Sequence, residues 1–255
     1  MLSKSVLKRY LKNTSVVLKK LNSVLKMALS SSVSPSNVTD KESIYEKAEA
    51  YWSQVSCDVD GMLGGFAKLH LPDIVDSKKF LRILRNKKKL LNFERAIDCG
   101  CGIGRVTKYL LLPQFESVDM VDIIDSFIES SSSYIGEEDK RVRQKFVCGL
   151  QDFEPEENYY DMIWIQWVTG HLTDEDLVSF LKRCQNGLRE GGCIVLKENV
   201  TSSDTYHFDT EDNSWTRPRN RILELIKEAG LTLLCDRKQT NFPQGMLSVY
   251  MFALR

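Results

Sequence analysis

Apolar positions recur along this chain at two different periods. In residues 1–30, Leu7, Leu11, Leu18, Leu21, Leu25 and Leu29 fall three, four or seven apart, which predicts one apolar face of an α-helix. Thr39 with Glu42 reads as a capping box, opening a second helix that runs to about residue 54. A third helix is predicted over about 76–91. From residue 93 the period alternates. FERAID, SVDMVDI, KFVCGL, YDMIWIQW and CIVLKEN read as strands, and VTKYLLL, SFIESSSSYI and DEDLVSFLKRCQNGL as helices between them. Such alternation predicts an α/β fold, a doubly wound, Rossmann-like parallel sheet covered by helices on both faces. The tail departs from it: TLLCDRKQ and LSVYMFAL flank NFPQG and predict a closing antiparallel hairpin, making seven strands.

Composition sharpens this in three places. The stretch SSSVSPSNV, residues 30–38, predicts a boundary between a leader (1–38) and one large domain (39–255). The net charge of zero hides an asymmetry: residues 1–39 carry seven Lys/Arg and no acid, leaving 28 basic and 35 acidic groups in the remainder. A negative body is a poor binder of phosphate backbones, so no nucleic-acid partner is expected. The leader is open to three readings: a mitochondrial transit segment, a helix for an anionic membrane surface or partner groove, or a plain extension. No apolar run reaches the roughly 18 residues that a membrane span needs. The seven Cys form no CxxC and no Cys/His ladder, which predicts reduced thiols and no metal site.

The candidate chemistry starts at Asp98-Cys99-Gly100-Cys101-Gly102-Ile103-Gly104, after a predicted strand. Glycines there let backbone N–H groups approach a ligand at the start of a helix. Asp122 ends the next strand, 24 residues after Asp98, where a carboxylate suits ribose hydroxyls. A dinucleotide turn wants G-x-G-x-x-G. Counted from Gly100 its third glycine would be position 105, which is Arg105. The pattern D-x-G-x-G-x-G resembles motif I of class I S-adenosylmethionine-dependent methyltransferases instead. Arg105 suits that cofactor's carboxylate by charge and donor fork. Further along, DMIWIQW delivers Gln166 and Trp167 to the carboxyl edge of the sheet, with His171 after it. The fifth strand delivers Lys197-Glu198-Asn199, and an acidic stretch follows with Asp204, Asp209, Glu211 and Asp212.

Across residues 45–255 the chain resembles the N-terminal Xaa-Pro-Lys N-methyltransferases, which methylate the α-amine of proteins beginning with Xaa-Pro-Lys. The resemblance rests on YWSQVSCDVDGMLGGF, DCGCGIGRVTKYLLLP, VDMVDI, CGLQDF, YDMIWIQWVTGHLTDEDL, FLKRCQNGL and the final FALR. It implies the class I methyltransferase fold preceded by N-terminal helices, S-adenosyl-L-methionine as cofactor, and residence in nucleus and cytoplasm, with mitochondria as the alternative if residues 1–38 are a transit segment. Position by position, it implies that Gly100, Arg105, Asp122, Ile123, Ile124, Leu150, Gln151 and Gln166 bind the cofactor. It implies that Leu63 and Gly64 form a lid, with Trp52 on the helix beside it. Trp167 would be a wall for the substrate proline, Asn199 would hold the substrate backbone, and Asp209 and Asp212 would engage its lysine. His171 and Asp212 would accept the amine proton. The chain departs from the family in three places. Glu198 replaces a common Asp, the acidic loop carries one inserted residue, and Leu247 stands where relatives can carry an aromatic ring. A small-molecule methyltransferase and a silent binder of Pro-Lys tails are the competing functions.

Overall fold

The computed structural model describes Ser34, Pro35, Val38, residues 40–87 and residues 92–255. The leader reading, apart from those three positions, and Thr39 lie outside the described residues. Helix α1 spans Lys41–Trp52. Its cap is Asp40, whose carboxylate accepts from the Ser43 N–H at 3.1 Å, one residue after the expected Thr39. A short helix, α2, covers Val59–Met62 inside the glycine-rich stretch. Helix α3 spans His70–Asn86 and so starts six residues before the expected position 76. Pro72 falls in the first turn, where its missing N–H has no partner to lose.

The strands are β1 (Arg95–Cys99), β2 (Ser117–Asp122), β3 (Val142–Val147), β4 (Tyr160–Gln166), β5 (Leu188–Thr201), β6 (His207–Asp209), β7 (Ser214–Pro218), β8 (Leu233–Lys238) and β9 (Ser248–Leu254). Five of them run parallel in the order β3-β2-β1-β4-β5. Strand β9 lies antiparallel to β5, from Ile194 opposite Leu254 to Val200 opposite Ser248, and β8 pairs with its outer edge. These seven are the expected sheet with its closing hairpin. Helices α4 (Asp125–Ile135), α5 (Asp174–Gly187) and α6 (Arg219–Glu228) complete the fold.

Strand β4 is buried at every position because both its faces are covered. Its alternate residues feed two cores. Ile163 and Ile165 pack with Leu177 and Phe180 of α5 and Leu225 of α6. Met162 and Trp164 pack with Phe80 and Leu84 of α3 and Ile128 of α4.

The acidic stretch 204–215 reads as a loop in the sequence. It is partly a hairpin: β6 and β7 pair antiparallel, and β7 joins the far end of β5 at Val200 and Thr201. Three residues are too few for a periodic signal, but the turn signal is legible. Asn213 takes φ +54°, a left-handed conformation that Asn tolerates better than most. Phe208 and Trp215 give the hairpin a small core of its own, with ring centroids 5.0 Å apart. No helix of the described residues is long and apolar enough to cross a membrane.

Candidate active site

Strand β1 has β2 on one side and β4 on the other, so the chain winds away from it in both directions. In such sheets a crevice opens at the carboxyl ends of the strands. Here it is a cleft of about 1040 Å³, including its open mouth. All eight residues assigned to cofactor binding line it: Gly100, Arg105, Asp122, Ile123, Ile124, Leu150, Gln151 and Gln166. Its floor is the glycine turn. At Gly100, φ is +71°, and a Cβ there would meet Val168 at 2.6 Å, so only glycine fits. At Gly102 a Cβ would meet Met62 Sδ at 2.3 Å, so the glycine-rich segment folds directly over the turn.

Asp122 is held at the end of β2 by two backbone donors, Gly102 N–H at 2.8 Å and Ile124 N–H at 3.0 Å. Burial pushes its carboxyl above the ordinary range, and those N–H groups oppose the shift. The fit to S-adenosylmethionine rests on this geometry: a carboxylate at the strand end for two ribose hydroxyls, a wall without Cβ at the turn, and a cationic fork at Arg105.

Arg105 and Gln166 are tied down from below. Asp73, on α3 and wholly buried, accepts from Arg105 Nη1 at 2.7 Å, from Gln166 Nε2 at 3.0 Å and from Lys197 Nζ. Burial alone would raise the Asp73 carboxyl. The Lys197 and Arg105 charges beside it reverse that and hold it below the usual range. Gln166 Oε1 accepts from the Trp164 indole at 3.0 Å, so its amide is committed at both ends. Sequence reading gave Asp73 no role, since nothing in its spacing points to two cations far along the chain.

The acceptor side is built around a single turn at Thr169–His171. Trp167 sits just beyond β4 with φ +54°, a strained conformation for a bulky residue, costing of order 1–3 kcal/mol. The Trp167 N–H donates to Lys197 O at 3.0 Å and fixes it there. Its indole Nε1 is buried without a hydrogen-bond partner among the described residues. Glu198 grips the start of the turn, accepting from Val168 N–H at 3.0 Å, Thr169 N–H at 2.8 Å and Thr169 Oγ1 at 2.8 Å. Arg217 on β7 grips its end, donating to Thr169 O at 2.8 Å and Leu172 O at 2.6 Å. Asp174 holds Arg217 at 2.8 Å.

His171 projects from this clamped turn into the cleft. Its Nε2 accepts from the Trp52 indole Nε1–H at 2.9 Å. An imidazole nitrogen that accepts carries no proton, so the neutral ring holds its proton on Nδ1. Burial lowers the His171 pKa, while the Asp212 carboxylate opposes the shift. Conversely, burial raises Asp212, and His171 and Ser214 oppose it. Thus the two lie within electrostatic reach of each other. The reason is a close approach: a Cβ on Gly170 would meet Trp215 O of the hairpin at 3.0 Å. Asp212 accepts from Ser214 Oγ at 2.7 Å, and Asp209 turns back to accept the Glu211 N–H at 2.9 Å.

The structure does not bring every expected residue into one cavity. Leu63, Gly64, Asn199, Asp209 and Asp212 lie outside the cleft lining. Leu63 is buried at the end of α2 and Gly64 turns the glycine-rich segment at φ +56°. Met62 is the residue of that segment that reaches the cleft, with Tyr45, Ala48 and Glu49 of α1. These residues were missed because α1 shows no strong pattern, and Met62 lay unremarked inside a quoted motif.

Residues 40–255 match the family model described as AdoMet-dependent proline di-methyltransferase. The chain belongs to this family. A relative from Caenorhabditis elegans, alpha N-terminal protein methyltransferase 1, is 52% identical over 225 residues, 88% of this chain and 96% of that protein. The human N-terminal Xaa-Pro-Lys N-methyltransferase 1 is 48% identical over 219 residues, 86% of this chain and 98% of that protein. A solved Leishmania major SAM-dependent methyltransferase superposes with a TM-score of 0.79 at 33% identity, covering 83% of each chain. The chain is therefore an S-adenosylmethionine-dependent methyltransferase, and the family is that of the sequence resemblance.

Proposed function

We propose that this methyltransferase acts on the α-amine of proteins whose exposed N-terminus reads Xaa-Pro-Lys. The observation that carries the reading is the clamped turn, which sets His171 at the cofactor cleft and against an acidic hairpin bearing Asp209 and Asp212. The names of the human and nematode relatives support it.

Bound S-adenosylmethionine supplies an electrophilic methyl group. Asp122 would take its ribose hydroxyls, Arg105 its carboxylate, and Gly100, Ile123, Ile124, Leu150 and Gln151 its remaining surface, with Gln166 held rigid beside them. On the other side, Trp167 offers its indole to the proline. Leu63 and Gly64 close over the first residues, and Asn199 takes the substrate backbone. Among the described residues the Asn199 side chain makes no hydrogen bond of its own. Asp209 and Asp212 select a cationic third residue.

The nucleophile must be a neutral amine. An α-amine titrates near 7.7–8.0 and a lysine near 10.4, so at pH 7 the first costs about 1 kcal/mol to deprotonate and the second several times that. One modest base suffices. With Nε2 of His171 engaged by Trp52, the Asp212 carboxylate is the acceptor with lone pairs to spare, and His171 becomes a second acceptor once the Trp52 indole gives way. Alignment supplies most of the acceleration.

Incubation with labelled S-adenosylmethionine and two peptides, one beginning Ser-Pro-Lys and one Ser-Pro-Gln, tests this. Methylation of the first alone is expected. Turnover of neither peptide, or of both equally, overturns the reading. Residence in nucleus and cytoplasm, with mitochondrial targeting by residues 1–38 as the alternative, is a separate proposal. Imaging a fluorescent reporter fused to those residues decides it.

A further inference from the structure

The wall opposite Trp167 had no assigned residue, because Leu247 carries no aromatic ring. The fold puts one there from elsewhere. The turn between β8 and β9 carries Phe242, whose ring centroid lies 6.3 Å from that of Trp167, with the planes 36° apart. Phe242 is half-buried on an otherwise exposed turn.

Its position is built rather than incidental. The residue before a proline is biased towards extended backbone, and Phe242 precedes Pro243, so the presentation of its ring is restricted in advance. The base of the turn is tied to α3. Gln239 Nε2 donates to Pro72 O at 3.1 Å, and Thr240 N–H donates to Asp76 at 3.3 Å. Gln239 N–H also closes on Val249 O at 2.8 Å. Trp167 is equally constrained by its clamped backbone. Arg105 and Lys197 approach its ring at 5.7 and 5.8 Å. The two rings are thus the apolar part of an otherwise charged corner.

We propose that Phe242 is the second wall of the slot for the substrate's proline, and that it sets the preference for proline over smaller residues at position two. The inference rests on the substrate reading above. A saturated ring between two aromatic rings needs two contacts in series, roughly 7–8 Å between centroids. The observed 6.3 Å is shorter, so the tip of the turn, beyond the tied Gln239 and Thr240, has to open by about 1 Å as the proline enters. A residue with a single methyl side chain leaves the gap unfilled and gains little from either wall.

A cycle between enzyme and substrate tests this. KM is measured for peptides beginning Ser-Pro-Lys and Ser-Ala-Lys, with the wild type, Phe242→Ala and Phe242→Tyr. In Phe242→Ala the KM for the proline peptide rises about fivefold to tenfold, and that for the alanine peptide by about twofold or less. The S-adenosylmethionine Kd stays at the wild-type value, which shows that the fold is intact, and Phe242→Tyr keeps the preference. Equal changes for both peptides, or none, overturn the role of Phe242 while the substrate reading stands. A wild type that methylates neither peptide overturns the substrate reading, and this inference with it.

Discussion

At the scale of single residues the proposed chemistry turns on His171. Its Nε2 accepts from the Trp52 indole, and burial holds the ring neutral. That hydrogen bond favours the unprotonated imidazole, so Trp52→Phe removes a reason for the depressed pKa. The His171 pKa should rise in Trp52→Phe, as read by NMR titration of the ring. An unchanged value would mean that the indole only packs there. His171→Ala should lower turnover more at pH 7 than at pH 9. At pH 9 an α-amine of ordinary pKa, about 7.7–8.0, is already almost wholly neutral, and at pH 7 about a tenth is. Equal losses at both would assign His171 a positioning role alone.

At the scale of elements, ties between distant segments matter more than the elements themselves. Asp73 joins α3 to the segment after the glycine turn through Arg105, to β4 through Gln166 and to β5 through Lys197. Asp73→Asn leaves two buried cations short of an anion and should cost about 3–5 kcal/mol, measured by denaturant unfolding. As Asp73 is held below its unfolded pKa, its stabilisation is full above that unfolded value, near pH 4. It is lost as pH falls through the folded value. The wild type should therefore lose its advantage over Asp73→Asn in acid. Glu198 shows the same logic at the acceptor turn. Its long arm collects three donors of the turn.

For the molecule as a whole, charge is segregated: a basic leader, a net acidic body, and carboxylates gathered on the β6–β7 hairpin. Asp209→Lys with Asp212→Lys should abolish the preference for lysine at substrate position three, compared through the binding Kd of Ser-Pro-Lys and Ser-Pro-Gln peptides, since Asp212 is also the proposed base. In the wild type, the KM for the lysine peptide should rise with ionic strength over the range where the Debye length shortens from about 10 Å to 3 Å. A preference that survives the double substitution would remove the hairpin as the reader of charge.

The sheet, its closing hairpin and the glycine-turn half of the cleft were legible in the sequence. Those features rest on local periodicity and on the glycine turn with Arg105 and Asp122, within one winding of the chain. Tertiary structure alone decided the rest. The α1 wall and Met62, the Asp73 tie, the grip of Glu198 and Arg217 on the His171 turn, and Phe242 opposite Trp167 all join residues far apart in the chain. A contact of that kind leaves no period in the sequence. Its energy depends on burial and distance, which exist only once the strands have set their order.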